Sequence, residues 1–219
     1  MGAMDDLEGE TKRLPLYLII DTSGSMSGPP ILAVNEGMKL LENILRTDAT
    51  FKESVDVCVL RFDSTAAVAV AQASAEKFSA PSLTAQGGTA YSLAFALLKK
   101  EIDKNQRPKS EDYAGDYKPL AFFFTDGEPN PGDPWREALT ALNESKGKRP
   151  QLVAIGAGPA VKEAVLREIA PEHTHVLQDL LDSSQMHALI QFIVQSTVAA
   201  SRSAGVLPPA PVNPFGQSN

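Results

Sequence analysis

The chain has 219 residues, of which 43% are hydrophobic and 21% are charged, a composition typical of one globular domain with one sizeable core. Its formal net charge is −7 and its isoelectric point is about 5.0. This charge balance excludes an extended basic surface that would bind nucleic acid or anionic lipid. No apolar run approaches the ~18–20 residues that span a bilayer.

The single cysteine, Cys58, excludes an internal disulfide framework. It lies in the apolar run VDVCVLRF, where a small buried thiol is the favoured interpretation. The single cysteine favours a cytoplasmic location, and so does the polar segment at residues 4–13 that precedes the first predicted strand. We interpret residues 1–4 as a cloning remnant, and residues 1–12 as a lead-in outside the domain.

The first half of the chain alternates between strand and helix patterns. Residues 14–20 (LPLYLII) form a continuous apolar run, which is typical of a strand covered on both faces. After a proline pair, apolar residues recur at steps of three and four over residues 31–45, which predicts a helix. Residues 54–62 and 66–72 are rich in β-forming residues and predict a hairpin.

The second half continues this alternation. An apolar stripe predicts a helix over residues 91–102, and PLAFFF at 119–124 predicts a second buried strand. A further helix covers residues 133–142, with Asp133 as its expected N-cap. The remaining elements are a strand at 151–158, a helix at 161–170, a short strand at 173–178 and a final helix at 183–200.

Strands that alternate with helices imply βαβ crossovers. The pattern therefore predicts an α/β fold of three layers, with a doubly wound, mostly parallel sheet and one antiparallel edge strand from the hairpin. We expect the domain to span residues 13–200, followed by a proline-rich, disordered tail at 201–219. In such sheets ligands bind beyond the carboxyl ends of the strands, where the strand order reverses.

Oxygen-bearing side chains occur in three loops at these positions. They are Asp21, Ser23 and Ser25 after the first strand, Thr89 after the flexible pair Gly87–Gly88, and Asp126 after PLAFFF. If the two apolar strands are neighbours, Asp21 and Asp126 lie side by side and repel each other unless a cation or a proton lies between them. Carboxylates and hydroxyls without His or Cys suit Mg²⁺. Each loop alone is an ordinary turn, but together they predict a metal site.

The DxSxS motif with a later threonine and aspartate resembles the metal-ion-dependent adhesion site of the von Willebrand factor A domain, over about residues 13–200. The stretches RLPLYLIIDTSGSM and FFFTDGEP are most similar to bacterial TerY-type proteins of tellurite resistance and stress response. The resemblance implies a Rossmann-like fold that binds Mg²⁺, with Mn²⁺ or Ca²⁺ as alternatives. The implied ligands are Asp21, Ser23, Ser25, Thr89 and Asp126.

This resemblance also implies a partner. One coordination position of the metal is left for a Glu or Asp carboxylate of another protein, with Ser27, Gly88 and Glu128 as the surrounding rim. Two interpretations of Glu128 fit equally well: it accepts a hydrogen bond from a metal ligand, or it is a solvated loop residue. We expect a non-catalytic module that binds no nucleic acid, does not insert into membranes and is monomeric when free.

Two other functions fit parts of the sequence. Magnesium held by aspartates also describes phosphoryl-transfer enzymes, but the chain has no GxxxxGK[ST] loop and no histidine near the metal loops. The pair His173 and His175 is interpreted as surface or edge residues, and Trp135 as a packing anchor or an interface aromatic. An extracellular adhesin is the second alternative.

Overall fold

Six strands form one mixed sheet through the centre of the domain. The computed structural model describes residues 12–111, 113–145, 148–178 and 183–203. The strands are β1 Leu14–Asp21, β2 Val55–Phe62, β3 Ala66–Ser74, β4 Leu120–Thr125, β5 Gln151–Ala157 and β6 Thr174–Leu177. Their order is β3-β2-β1-β4-β5-β6, and all neighbours are parallel except β2 and β3. The predicted mostly parallel sheet with one antiparallel edge strand is confirmed.

Helices cover both faces of this sheet. They are α1 Pro29–Thr47, α2 Ala49–Ser54, α3 Tyr91–Asn105, α4 Trp135–Asn143, α5 Glu163–Ile169 and α6 Ser183–Arg202. Side chains of β1 alternate between two cores: Leu16 and Leu18 pack with α1 and α6, whereas Tyr17 and Ile19 pack with α3, α4 and α5. The three-layer, doubly wound architecture is therefore confirmed.

The sequence pattern does not predict α2, which lies between α1 and β2. Asp48 caps this helix, because its side chain accepts a hydrogen bond from the N–H of Thr50 at 2.8 Å. Phe51 is buried and joins the core on the α1 side. A helix of six residues with one buried side chain is too short to show apolar periodicity.

Both chain ends lie largely outside the described residues. The interpreted cloning remnant falls within residues 1–11, and most of the proline-rich tail falls within residues 204–219. The predicted end of the final helix at residue 200 is two residues early, because α6 continues to Arg202. Helix α6 thus includes the first two residues of the range assigned to the tail.

Asp133, the predicted N-cap of α4, caps a different helix. α4 begins at Trp135 after Pro134, and no side chain caps its first turn. The Asp133 carboxylate instead accepts a hydrogen bond from the backbone N–H of Ser92 at 3.0 Å and another from the Ser92 hydroxyl. Ser92 is the second residue of α3, so Asp133 satisfies a backbone donor that has no partner within its own helix.

Replacing Asp133 by alanine should lower the free energy of unfolding by about 1–2 kcal/mol, because the first turn of α3 loses this acceptor. Denaturant unfolding of wild type and Asp133→Ala measures the difference. Glu137→Ala removes an exposed carboxylate from the first turn of α4 and serves as the control, with an expected change within about 0.5 kcal/mol. Equal losses in the two variants would contradict a cap on α3.

His173 and His175 lie at the edge strand, as predicted, but neither lies on the surface, because each is only 5% exposed. The His175 ring packs against Phe192 of α6, with ring centroids 4.6 Å apart. His173 Nε2 lies 2.9 Å from the side-chain nitrogen of Gln151. Burial lowers the pKa of both imidazoles, to about 4 for His175.

Acid should destabilise the fold through these histidines. A histidine whose pKa is lower in the folded chain contributes its full stability above about pH 6.5 and loses that contribution as the pH falls toward 4. His175 should account for a loss of about 2 kcal/mol between pH 7 and pH 5. Denaturant unfolding at both pH values should show a smaller loss for His175→Gln and an unchanged loss for the exposed control His187→Gln. Equal losses in all three chains would disprove the assignment.

Candidate metal centre

The predicted ligands lie where the strand order of the sheet reverses. β1 and β4 are neighbours, but the chain leads from β1 to β2 on one side and from β4 to β5 on the other. Ile20 of β1 pairs with Phe124 of β4, which places the final residues of the two strands, Asp21 and Thr125, at the same level. Open α/β sheets bind their ligands at this kind of crevice.

The DTSGS loop folds back over the end of β1. The N–H of Ser23 donates to Asp21 Oδ1 at 2.8 Å, and the N–H of Met26 donates to the Ser23 carbonyl at 3.0 Å. Met26 is fully buried and anchors this turn, whereas Ser25 is exposed. The turn brings the hydroxyl oxygens of Ser23 and Ser25 to 3.0 Å from each other.

Hydroxyl groups connect the two carboxylate-bearing loops. Ser25 Oγ donates to Asp126 Oδ1 at 2.8 Å. Thr125 Oγ1, at the end of β4 and next to Asp126, donates to Asp21 Oδ2 at 2.6 Å. The structure thus brings four of the five predicted ligands, Asp21, Ser23, Ser25 and Asp126, into one hydrogen-bonded group.

Two residues behind this group, Thr125 and Tyr91, are not among the predicted site residues. The Tyr91 hydroxyl lies 3.0 Å from Thr125 Oγ1 and donates to the Gly127 carbonyl at 2.7 Å. In the sequence Tyr91 is only one member of the apolar stripe of α3, because a buried tyrosine is apolar over most of its surface. Thr125 does carry a signal, since it stands directly between the buried strand and Asp126.

Thr89 lies just before α3 and is buried, with 8% of its surface exposed. Its segment contacts both carboxylate-bearing loops. The N–H of Gly24 donates to the Gly87 carbonyl at 2.9 Å, and the N–H of Asn130 donates to the Thr89 carbonyl at 2.8 Å. The backbone therefore fixes Thr89 between the two loops. No pattern in the sequence marks Asn130 as a residue of this site.

The Gly87–Gly88 pair is predicted to be flexible, but it is closely packed. Gly87 has a φ of +70°, a conformation that favours glycine. A Cβ on Gly87 would lie 2.7 Å from Ser64 Oγ, and the N–H of Gly88 donates to the same oxygen at 2.7 Å. Glycine is thus required here for backbone conformation and close approach, rather than for mobility.

Burial dominates the electrostatics of the two carboxylates. Asp21 has no exposed surface, and burial raises its pKa to about 6, although hydrogen bonds from Thr125 and Ser23 oppose this shift. The charge of Asp126 raises the pKa of Asp21 by a smaller amount. Burial likewise raises the pKa of Asp126. The expected repulsion is present, but desolvation is the larger effect, and a cation beside Asp21 would offset both.

The hydrogen-bond distances between these oxygens are also compatible with adjacent ligands of a small octahedral cation. Mg–O distances of about 2.0–2.1 Å place adjacent ligands of an octahedron about 2.9 Å apart, whereas the longer Ca–O distances require wider spacing. The separations Ser23 Oγ to Ser25 Oγ and Ser25 Oγ to Asp126 Oδ1 are 3.0 and 2.8 Å. Among the described residues no group of three or more His, Cys, Asp and Glu side chains is placed to hold a metal. The candidate site therefore depends on hydroxyl ligands.

The expected rim residues differ in their exposure. Ser27 is exposed beside the DTSGS turn, and Gly88 is partly exposed. Glu128 Oε2 lies 2.6 Å from Lys162 Nζ, and both side chains are largely exposed. Of the two interpretations of Glu128, this ion pair favours an exposed loop residue. Trp135, by contrast, is a packing anchor: it is buried and contacts Tyr91 edge-on, with ring centroids 6.2 Å apart.

Comparison with known proteins agrees with the fold and the motif. The family model of the von Willebrand factor type A domain matches residues 16–191. The chain belongs to the von Willebrand factor type A family. Domains of this family are metal-dependent protein-interaction modules, and their metal site is the adhesion motif that the loops of Asp21, Thr89 and Asp126 resemble.

Solved structures of this von Willebrand factor A fold come from diverse organisms. A von Willebrand factor type A protein from Catenulispora acidiphila has a TM-score of 0.68 at 19% identity, with 86% of this chain and 43% of that chain covered. The mussel byssus proximal thread matrix protein 1 with a zinc-occupied MIDAS motif gives 0.57 at 18%, covering 83% and 46%. The manganese-loaded TRAP protein of Plasmodium vivax gives 0.56 at 18%, covering 84% and 74%.

These similarities establish the fold and place divalent metals, zinc and manganese, in two of the related structures. The chain spans less than half the length of the Catenulispora and mussel proteins. A search of curated protein sequences finds no match. Within the described residues, none of the helices combines the length and apolar character that crossing a bilayer requires.

Proposed function

We propose that this von Willebrand factor A domain is a non-catalytic module that binds a protein partner through a divalent cation, Mg²⁺ or Mn²⁺. The observation that carries the proposal is the run of oxygens from Ser23 through Ser25 to Asp126, beside the buried carboxylate of Asp21. The residues that would hold the cation are Asp21, Ser23, Ser25, Thr89 and Asp126.

A cation held in this way would supply a coordination position for a Glu or Asp carboxylate of the partner. Its five protein ligands contribute only two negative charges, and neutral hydroxyls leave the remaining charge of the ion available to an incoming carboxylate. Ser25 is exposed whereas Asp21 is buried, so the open side of the site faces outward from the sheet edge.

The surrounding surface would supply specificity rather than long-range attraction. The chain carries a net charge of −7, which disfavours the distant approach of an acidic partner. We expect association to be local and dependent on metal, with Ser27, Gly88 and Glu128 in the contact rim.

The cellular setting forms a further part of the proposal. The similarity of RLPLYLIIDTSGSM and FFFTDGEP to TerY-type proteins supports a role in a bacterial tellurite-resistance or stress-response assembly, with a cytoplasmic chain that is monomeric when free. Cys58 is compatible with that location, since burial raises the pKa of its thiol to about 12 and makes it a poor nucleophile.

Isothermal titration tests the metal site. Mg²⁺ should bind wild type but not Asp126→Ala, while Asp103→Ala, which removes an exposed carboxylate from α3, should bind like wild type. With a dissociation constant of about 0.1–1 mM and roughly 1 mM metal, binding should stabilise the chain by ~0.4–1.4 kcal/mol, or a few degrees in Tm. Unchanged binding by Asp126→Ala would refute the ligand assignment.

Pulldown with wild type and Asp21→Ala, each with Mg²⁺ and with chelator, tests the interaction. The partner should be retained only by wild type with Mg²⁺. Its acidic surface residues can then be changed singly to the matching amide, and one change should abolish retention. If every amide variant still binds in a Mg²⁺-dependent manner, the carboxylate-bridge model is wrong.

An activity assay tests the non-catalytic role. Metal-dependent turnover of a phosphoester panel that Asp21→Ala abolishes would instead establish an enzyme.

A further inference from the structure

Asn130 holds the backbone of Thr89 from both sides without using the Thr89 hydroxyl. The side-chain Oδ1 of Asn130 accepts a hydrogen bond from the N–H of Thr89 at 3.0 Å. The backbone N–H of Asn130 donates to the Thr89 carbonyl at 2.8 Å. Two opposed hydrogen bonds fix the position and the orientation of the Thr89 peptide units, and they leave the hydroxyl available as a ligand.

Gly88 makes room for this contact. A Cβ on Gly88 would lie 2.9 Å from both Oδ1 and Nδ2 of Asn130, closer than real Cβ contacts allow. The φ of Gly88 lies outside the left-handed region, unlike that of Gly87, so its backbone conformation is open to alanine. Gly88 is therefore required for the close approach of the Asn130 amide.

Asn130 also belongs to the loop that carries Asp126. The N–H of Asp133 donates to the Asn130 carbonyl at 3.0 Å, and Asp133 is itself bonded to Ser92 of α3. The segment from Asp126 to Asp133 thus contacts the start of α3 at two points, one at Thr89 and one at Ser92. The loop with the second carboxylate and the loop with the threonine are joined into one unit.

We propose that Asn130 is a positioning residue that fixes Thr89 relative to Asp126 and thereby sets the size of the metal site. This inference rests on the proposed metal binding. Mg²⁺ requires near-ideal octahedral geometry at short distances, whereas Ca²⁺ accepts longer distances and irregular coordination. A fixed Thr89 favours the small ion. Without Asn130, the site loses affinity for Mg²⁺ and discriminates less against Ca²⁺.

Titration of Mg²⁺ and Ca²⁺ into four chains tests the proposal: wild type, Asn130→Ala, Gly88→Ala and the double variant. Partners behind metal ligands typically contribute 10–100-fold to affinity, so each single variant should bind Mg²⁺ about 10-fold more weakly. Ca²⁺ affinity should fall less, so that the Mg²⁺ to Ca²⁺ affinity ratio decreases. The exposed Asn43→Ala is the matched control and should leave both affinities unchanged.

The double variant separates positioning from general disruption. Gly88→Ala acts by displacing the Asn130 amide, so it should cost little once Asn130 is already alanine, and the two effects should not add. Additive effects, or an unchanged Mg²⁺ to Ca²⁺ ratio in Asn130→Ala, would overturn the proposal.

Amide hydrogen exchange of the metal-free chain gives a readout that does not depend on metal. The Thr89 amide should exchange faster in Asn130→Ala than in wild type, and Asn130→Asp should restore its protection because the acceptor oxygen is kept. The Ser23 amide, which is bonded to Asp21, should be unchanged in all chains. Unaltered exchange at Thr89 would refute the positioning role. If wild type binds no metal, the proposed function fails, whereas this exchange experiment still decides whether Asn130 positions Thr89.

Discussion

Replacing Asp21 by asparagine should stabilise the metal-free chain by about 1–3 kcal/mol at pH 7.5 and abolish metal binding. Asp21 is completely buried, and its pKa is raised to about 6 by burial. An acid whose pKa is higher in the folded chain destabilises the fold above that pKa, and the cost is relieved as the pH falls toward the unfolded value. Asparagine has nearly the same shape, accepts from the N–H of Ser23 and can donate to Thr125 Oγ1.

Denaturant unfolding with chelator at pH 7.5 and pH 4.5 measures this effect. The advantage of Asp21→Asn over wild type should be largest at pH 7.5 and should shrink at pH 4.5, where wild type is protonated. Asp103→Asn, at an exposed position, should show no advantage at either pH. An Asp21→Asn chain that is less stable than wild type at pH 7.5, or one that binds Mg²⁺ equally well, would contradict the assignment of Asp21.

The burial of Asp21 would also affect the free energy of metal binding at the candidate site. The fold keeps a carboxylate where its ionised form is unfavourable, and the hydrogen bonds from Thr125 and Ser23 compensate only in part. A cation that stabilises the buried, ionised form therefore relieves a cost that an exposed aspartate does not carry. In the proposed function, the partner would bind to a site whose stability depends on metal.

The central strands could be predicted from the sequence because their burial is a local property. Every residue of Leu14–Asp21 and of Leu120–Thr125 is buried, and each strand is a nearly continuous apolar run. The positions of Asp21 and Asp126 follow directly, since each residue stands at the carboxyl end of such a strand. The order of the loops and the rule for open sheets then bring their side chains together.

The residues that support the site could not be predicted, because their partners are distant in sequence. Asn130 bonds Thr89 across 41 positions, and Asp133 bonds Ser92 across the same separation. Local propensity assigns Asp133 to the helix that follows it, and only the tertiary packing of α4 against α3 turns its carboxylate toward the other helix. The burial of His175 has the same origin, because Phe192 of α6 covers its ring.

Replacing Phe123 by alanine should cause the largest loss of stability among the core changes considered, about 3–5 kcal/mol. Phe123 lies in β4 with no exposed surface and stacks between Phe62 and Phe95, with ring centroids 5.2 Å away on each side. It also contacts the ring of Tyr91 edge-on at 4.8 Å. Aromatic pairs of this kind contribute beyond the apolar area that they bury.

Alanine at position 123 would leave a cavity beside Tyr91. The hydroxyl of Tyr91 contacts Thr125, which lies next to the candidate metal site. Urea unfolding should show the loss directly, and the Tm should fall by roughly 10 °C or more for a domain of this size. Phe123→Leu keeps most of the volume and should cost about 1–2 kcal/mol, while Leu93→Ala, at a position 42% exposed, should cost less than about 1 kcal/mol. Since the cavity lies beside Tyr91 and not at a ligand, the folded fraction of Phe123→Leu should still bind Mg²⁺. A loss in Phe123→Ala no greater than that in Leu93→Ala would show that this aromatic cluster does not form the core behind the site.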